Sequence, residues 1–340
     1  MPKVEVNKLN SNGILEQINK IVSGELHEKY GEHTLNFDNG LGKGSISSID
    51  FDWGVSLIDY EFFLHEDFSL VFKVGETPPL VFFYITEGSL EYCCDEDGEL
   101  LQLNQYQNII ISNKKYTSNT LKFPKQQKIK ANFIQIIKKN YLQKKNNNLQ
   151  YLNKVLLPIV QDDDSNFIYY HLGNYNLKIA DQIKKINDVP EGGIIRTLSL
   201  EGQLNLILAM QLTEHENYVN KVNLPKDISM VDIKKAYKLK DFILNNLSES
   251  ITIDTLSTES GLNSKKLQAC FRTLFDTSVN VYVRELKLDM ACELLKTTDY
   301  SISEIVYNIG FKSRSYFSKI FFKRYNILPT EYRKRIKECD

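Results

Sequence analysis

The sequence predicts an α+β chain: a strand-rich N-terminal body forming a small barrel or sandwich, a helical connecting segment, and an all-α C-terminal third with two helix-turn-helix units. Three observations carry this. Between Gly44 and Lys138, short runs rich in β-branched and aromatic residues recur at roughly ten-residue spacing. After Lys138 the apolar residues fall at helical spacing. In the last third, a short helix, a glycine and a second helix follow one another twice, around Gly261 and Gly310.

Taken in order, Ser11–Ile21 is expected to be a short helix. The strand runs are Val55–Leu64, Phe68–Val74, Leu80–Ile85, Ser89–Cys94, Asn108–Ser112 and Lys128–Ile137. Turn-forming residues punctuate them, at Gly75–Pro79, Glu87-Gly88 and Asp95–Gly98. Lys144–Asn148 reads as a loop and Leu177–Ile186 as a helix. Pro190–Gly193 breaks that helix, and Ser199 is placed to cap another from Leu200 to Tyr218. Leu204, Leu206, Ile207, Leu208, Ala209, Met210 and Leu212 leave that helix almost no polar face, so burial on every side is expected, by the body and a second copy of the chain or, alternatively, by packing within one subunit. Asn223–Asp227 is the best linker. The domains are then 1–140, 141–222 (a helical linker or dimerisation segment) and 230–340.

The C-terminal pattern is explicit. Lys234–Leu247 carries an apolar stripe of Ala236, Leu239, Phe242, Ile243 and Leu247. A short helix from Ile253 ends at Gly261, and Lys265–Phe275 follows, with Leu267, Phe271, Leu274 and Phe275 inward. Val281–Lys296 joins this unit to the next. There Ile302–Ile309 ends at Gly310, and Ser313 caps Arg314–Tyr325, which buries Phe317, Ile320 and Phe321. Glycine suits both turns because it has no Cβ to resist the left-handed conformation. In such a unit the first helix braces on the DNA backbone, while the second enters the major groove, where every base pair presents a distinct donor and acceptor pattern. The outward residues are Lys265, Gln268, Ala269 and Arg272 in the first unit, and Arg314, Ser315, Lys319 and Lys323 in the second.

Charge agrees with a nucleic-acid partner. The whole chain is close to neutral, at -1. From Lys234 onward, however, 19 basic residues stand against 13 acidic ones, and the excess of acid lies in the body. The five cysteines show no paired spacing, and Cys93 and Cys94 fall in one strand with side chains on opposite faces. No apolar stretch has the length of a signal peptide or a membrane span, so a cytoplasmic location is expected, with no membrane partner.

From Ile233 to Arg335 the chain resembles the AraC/XylS family of bacterial regulators. The resemblance rests on Ile305-Val306, Ile309-Gly310-Phe311, Ser315–Lys319, Phe321, Pro329 and Tyr332-Arg333, and on Lys287-Leu288, Ala291 and Leu294-Leu295 in the joining helix. Ser257 and Val306 stand where the family usually has Ala, Lys287 where it has Arg, and Asn326 where it has Gly. The resemblance implies base contacts at Lys265, Gln268 and Ala269 and at Arg314, Ser315 and Lys319, of which Ala269 can only touch a thymine methyl. It further implies a cupin-like sensing barrel over 1–140, of PchR-like type, with a small-molecule effector such as a siderophore. Double-stranded promoter DNA, a second copy of the chain and RNA polymerase are the partners implied.

Two other classes compete with an effector-responsive, sequence-specific transcription regulator. One is an architectural DNA-binding protein without sequence preference. The other is a cupin-type enzyme fused to a DNA-binding domain. Cupin enzymes hold a metal through two or three histidines and a carboxylate. Between Gly44 and Lys138 the sequence offers only His65. No catalytic triad or phosphate loop is evident, so neither catalysis nor a cofactor is expected.

Overall fold

Leu80–Ile85 is apolar without alternation, and the computed structural model shows why: both faces of its sheet are covered there. The structure describes residues 2–8, 10–73, 75–95, 98, 100–144, 148–162, 165–173, 176–190, 192–220, 228–249, 251–275 and 277–337. The linker expected at Asn223–Asp227, most of the loop at Lys144–Asn148, and Cys339 lie outside them. The chain divides into two units, Met1–Val222 and Asn223–Asp340.

The first unit runs β1 (Lys3–Val6), α1 (Ser11–Val22), β2 (Glu25–Lys29), β3 (Glu32–Asn39), β4 (Gly42–Phe51), β5 (Val55–Leu64), β6 (Phe68–Lys73), β7 (Leu80–Glu87), β8 (Leu90–Cys94), β9 (Leu100–Leu103), β10 (Asn108–Ser112), β11 (Ser118–Phe123) and β12 (Lys128–Ile136). It continues through α2 (Lys138–Leu142), α3 (Leu156–Val160), β13 (Tyr169–Leu172), α4 (Leu177–Asn187) and α5 (Gly193–Val219). The strands form two open sheets, ordered β1-β6-β11-β8-β9 and β13-β10-β7-β12-β5-β4-β3-β2. The α+β class stands, but the body is not a single closed barrel. The chain sorts its strands into two layers because the large sheet has apolar residues on both sides. One side, with Tyr60, Phe62, Phe83 and Phe133, packs on the small sheet and α1. The other, with Leu57, Phe82, Tyr84 and Ile134, packs on α3, α4 and α5. A fully buried aromatic in such a layer is worth roughly 2–3 kcal/mol.

β1, β2 and β3 fall before Gly44, outside the region read as strands. β2 is Glu-Leu-His-Glu-Lys, an edge strand mostly in solvent, so it has no apolar alternation to detect. The segment 141–222 is built into this unit: β13 pairs with β10, and α4 and α5 cover the large sheet. α5 begins at Gly193, not Leu200, so Ser199 sits inside it rather than capping it. The positive φ of Gly192 and Gly193 makes the turn on its own. α5 is also not buried all round. Leu200, Leu204, Ile207 and Leu208 face the sheet, while Ile194, Ile195, Leu198 and Leu206 are exposed. Cys93, Cys94, Cys270 and Cys292 are free thiols, and no helix among the described residues is long and apolar enough to cross a membrane.

The second unit is all helical: α6 (Met230–Asn245), α7 (Ile253–Ser260), α8 (Ser264–Phe275), α9 (Val279–Thr297), α10 (Ile302–Asn308), α11 (Arg314–Tyr325) and α12 (Pro329–Lys337). α6, α7 and α8 pack together, α10, α11 and α12 form the second group, and α9 contacts both groups.

Candidate nucleic-acid interface

Each helix-turn-helix unit is set by local chemistry at its ends. In the first, the Thr252 hydroxyl accepts from the Thr255 N–H at 3.1 Å and starts α7. Gly261, at φ +64, ends it, and Asn263 Oδ1 accepts from the Lys266 N–H at 2.9 Å to start α8. Leu267, Cys270, Phe271 and Leu274 then point inward. Ser229 and Asp232 form a capping box on α6. Asp232 also takes the Lys266 ammonium at 2.9 Å, which ties α6 to α8. The Ser229 backbone bond, Lys266 and the Ser229 hydroxyl hold the Asp232 carboxyl down to about 2.

The second unit repeats the plan with a longer turn. Ser301 and Glu304 box the start of α10. Gly310, at φ +67, donates to the Tyr307 carbonyl at 2.9 Å, and the Phe311 N–H reaches back to Val306 at 3.0 Å, closing the helix end. The Ser313 hydroxyl accepts from the Tyr316 N–H at 3.2 Å and starts α11. Phe317, Ile320 and Phe321 pack on Leu288, Leu295, Ile305 and Ile309. Asn326 ends α11 at φ +56, the left-handed conformation that Asn adopts more readily than most residues.

Two cations that the sequence reading did not place hold this half together. Lys287 is buried in the inward face of α9, four residues from Val283 and from Ala291. Its ammonium donates to the carbonyls of Glu249 at 3.0 Å and Gly310 at 3.3 Å, and burial pushes its pKa down. Arg324 reaches from α11 to α9, donating to the Glu285 carbonyl at 2.8 Å and to Asp289 at 2.6 Å. The signal for Lys287 was a cation on an apolar stripe. Arg324 gave none, because its acidic partners lie 35 and more positions away.

Of the residues expected to face DNA, Lys265, Arg272, Arg314, Ser315, Lys319 and Lys323 are exposed on α8 and α11. Gln268 and Ala269 are half-buried, and Gln268 Oε1 accepts from the Val279 N–H at 3.3 Å. The second helix therefore presents the freer polar face. Lys312, exposed in the turn before α11, adds a cation beside Arg314.

Residues 256–335 match a family of helix-turn-helix domains. The regulatory protein SoxS of Salmonella typhimurium is 30% identical over 98 residues, which are 29% of this chain and 92% of SoxS. The chain belongs to the AraC/XylS family of transcription regulators. The second unit of this regulator thus carries its sequence-specific DNA-binding domain. The regulatory protein PocR of the same organism is 28% identical over 170 residues, 46% of this chain and 54% of PocR. Histidine kinase P4 of Formosa agariphila is 34% identical over 114 residues, 33% of this chain but 8% of that protein. The regulator therefore spans only part of these two relatives.

Proposed function

We propose that this regulator binds specific promoter sites on double-stranded DNA in the cytoplasm, works as a homodimer, acts on RNA polymerase, and answers to a small-molecule effector received by its first unit. The observation that carries the DNA reading is the pair of capped helices, α8 and α11, each presenting exposed cations over a packed core. Lys265, Gln268, Ala269, Arg314, Ser315 and Lys319 are assigned to base edges, and Arg272 and Lys323 to phosphates. Gln268 makes its contact only after leaving Val279. The exposed side of α5, with Ile195, Leu198 and Leu206, is the surface assigned to the second subunit.

The test is selection of sites from random duplex DNA by the full chain, followed by affinity measurements on the selected site and on scrambled DNA over a range of salt. Specific complexes of this kind are typically 10³-fold or more tighter than non-specific ones. Equal affinity for both at physiological salt would make the protein an architectural binder and reject the proposal. Sedimentation of the full chain over a concentration range tests the dimer.

A further inference from the structure

The helix-facing side of the large sheet carries a line of polar side chains in register across seven strands. Its covered half is Asn132, Tyr84 and Asn108, on β12, β7 and β10. All three are fully buried, and the Tyr84 hydroxyl donates to the Asn176 carbonyl at the start of α4. Its open half is His27, Thr34, Ser47 and Asp59, on β2, β3, β4 and β5. Here α4 and α5 leave the sheet uncovered, and a groove of about 490 Å³ lies between the strands and the first turns of α5. That size suits a small polar molecule. The opposite side of the sheet offers no such room. Tyr60, Phe62 and Phe123 fill the space between the sheets, and the cavity near Phe72 and Tyr92 is about 40 Å³.

Of the acidic groups lining the groove, Glu32 and Glu61 are paired with cations and Asp59 is not, while Lys29 at the rim stacks on the Tyr30 ring and makes no ion pair among the described residues. Glu32 pairs with Arg196 of α5, through a second contact of 2.8 Å as well as a shorter one. Glu61 pairs with Lys130 at 2.8 Å and Lys128 at 3.1 Å. Among the described residues Asp59 has no cation and its only hydrogen bond is from Asn132 Nδ2 at 2.7 Å, while Asn132 leaves its own Oδ1 without a partner. Asp59 is half-buried, and desolvation pushes its carboxyl up to about 6, so at neutral pH it is an ionised group at the groove without a counter-charge among the described residues. A primary ammonium would supply both. The hydroxyls of Ser47 and Thr34 lie next along the same row, and the exposed ring of Tyr30, which also lines the groove, suits the C–H face of a sugar ring.

We propose that this groove binds a hydroxylated primary amine of amino-sugar type, with its ammonium on Asp59 and its hydroxyls on Ser47 and Thr34. The site deepens the effector reading and rests on it only for the consequence at DNA.

The test is titration calorimetry of the full chain near neutral pH with glucosamine, galactosamine and mannosamine, against glucose and N-acetylglucosamine, which keep the hydroxyls without the charge. At least one amino sugar should bind roughly tenfold or more tightly than its neutral counterpart, the range of a charge-assisted hydrogen bond. Asp59→Asn, which keeps the shape of the side chain, should remove that preference. Ser47→Met, which leaves the carboxylate and narrows the groove, should abolish binding. Absence of binding by all three amino sugars, equal binding of charged and neutral sugars, or binding that survives both substitutions would overturn the proposal. Affinity for the selected DNA site is measured in parallel. Asp59-dependent sugar binding with unchanged DNA affinity upholds the site and rejects its effector role. A DNA response to a neutral ligand that ignores Asp59→Asn upholds an effector but overturns this site.

Discussion

The two turn glycines form a matched pair, and substituting each by alanine separates backbone strain from crowding. Both have left-handed φ, +64 at Gly261 and +67 at Gly310. A Cβ in that conformation costs about 1–2 kcal/mol. At Gly261 that is the whole cost, because the nearest atom, Lys235 Nζ, would lie 4.0 Å from the new carbon. At Gly310 the same carbon would sit 2.6 Å from the Ser248 carbonyl oxygen, 2.9 Å from that of Glu249 and 2.8 Å from Lys287 Nζ. Two of those atoms are backbone and cannot swing aside. The third is an ammonium that already bonds the Glu249 and Gly310 carbonyls. Displacing it forfeits charge-assisted hydrogen bonds worth roughly 1.5–3 kcal/mol. Gly310→Ala should therefore cost about 3–5 kcal/mol in all and Gly261→Ala about 1–2 kcal/mol. Urea unfolding of the full chain, followed by far-UV circular dichroism, reads the difference. With slopes of about 1–3 kcal/mol per molar urea, the Gly310 variant should lose roughly 0.5–3 M of midpoint relative to its partner. Trp53 is the sole tryptophan and lies in the first unit, so its emission is a control that neither variant should move. Equal losses at the two glycines would refute the crowding argument and leave φ as the only constraint.

Other substitutions follow from the same geometry. Lys287→Met leaves the Gly310 and Glu249 carbonyls without their donor and should destabilise the second unit by about 1–3 kcal/mol, whereas Lys287→Arg, which keeps a donor, should stay within about 1 kcal/mol of wild type in the same urea assay. Arg314→Ala should lose about 1–3 kcal/mol of discrimination at a single base pair. Lys323→Ala should weaken all sequences alike and lower the salt slope by about 1. A uniform loss on Arg314→Ala, measured on a panel of single-base variants of the selected site, would reassign Arg314 to a phosphate. Asp59 gives a pH signature. Its carboxyl binds a proton more tightly in the folded protein than in the unfolded chain, so its contribution is fully present below about pH 4 and is lost as pH rises through about 6. At neutral pH that loss is about 2–3 kcal/mol, and Asp59→Asn should recover most of it, so the variant should melt higher than wild type near pH 7 and show no gain near pH 4.

Most of the second unit was legible, though α12 and the capped first turn of α6 were not, and the first unit was far less so, for a physical reason. A helix-turn-helix unit is specified by signals a few residues apart: a hydroxyl at an N-cap, an apolar residue every third or fourth position, a glycine at a left-handed turn. Thr252, Gly261, Ser301, Gly310 and Ser313 all act within four residues of the groups they satisfy. The interactions that escaped reading are non-local, such as Lys287 to Glu249 and Arg324 to Asp289. In the first unit almost everything is non-local. The strands were visible as apolar runs, but their assignment to two sheets depends on pairings such as β1 with β6 and β10 with β13, which no local pattern encodes. β2, polar at the sheet edge, and β3 beside it were invisible, and with them one wall of the groove.

Asp59 shows the same point from the side of function. In the sequence it is one polar residue in a strand, Val-Ser-Leu-Ile-Asp-Tyr-Glu-Phe-Phe-Leu, where alternation would give it to solvent. Only the register makes it a neighbour of Ser47, Thr34 and Asn132, and only the reach of α5 across that face decides that the row is half covered and half open. A carboxylate kept there without a cation works against the stability of the fold at neutral pH, as the Asp59→Asn comparison would reveal. Packing alone favours an amide or a hydroxyl at such a position, since either could accept the Asn132 hydrogen bond without the cost of a charge. The groove is thus a place in the first unit where the residue present differs from the one stability would choose, and Arg196 and Leu200 put the start of α5 on its wall. A ligand that neutralised Asp59 would stabilise that arrangement of α5 by its own binding free energy. If the exposed side of α5 meets a second subunit, the dimer interface and the groove share one rigid element.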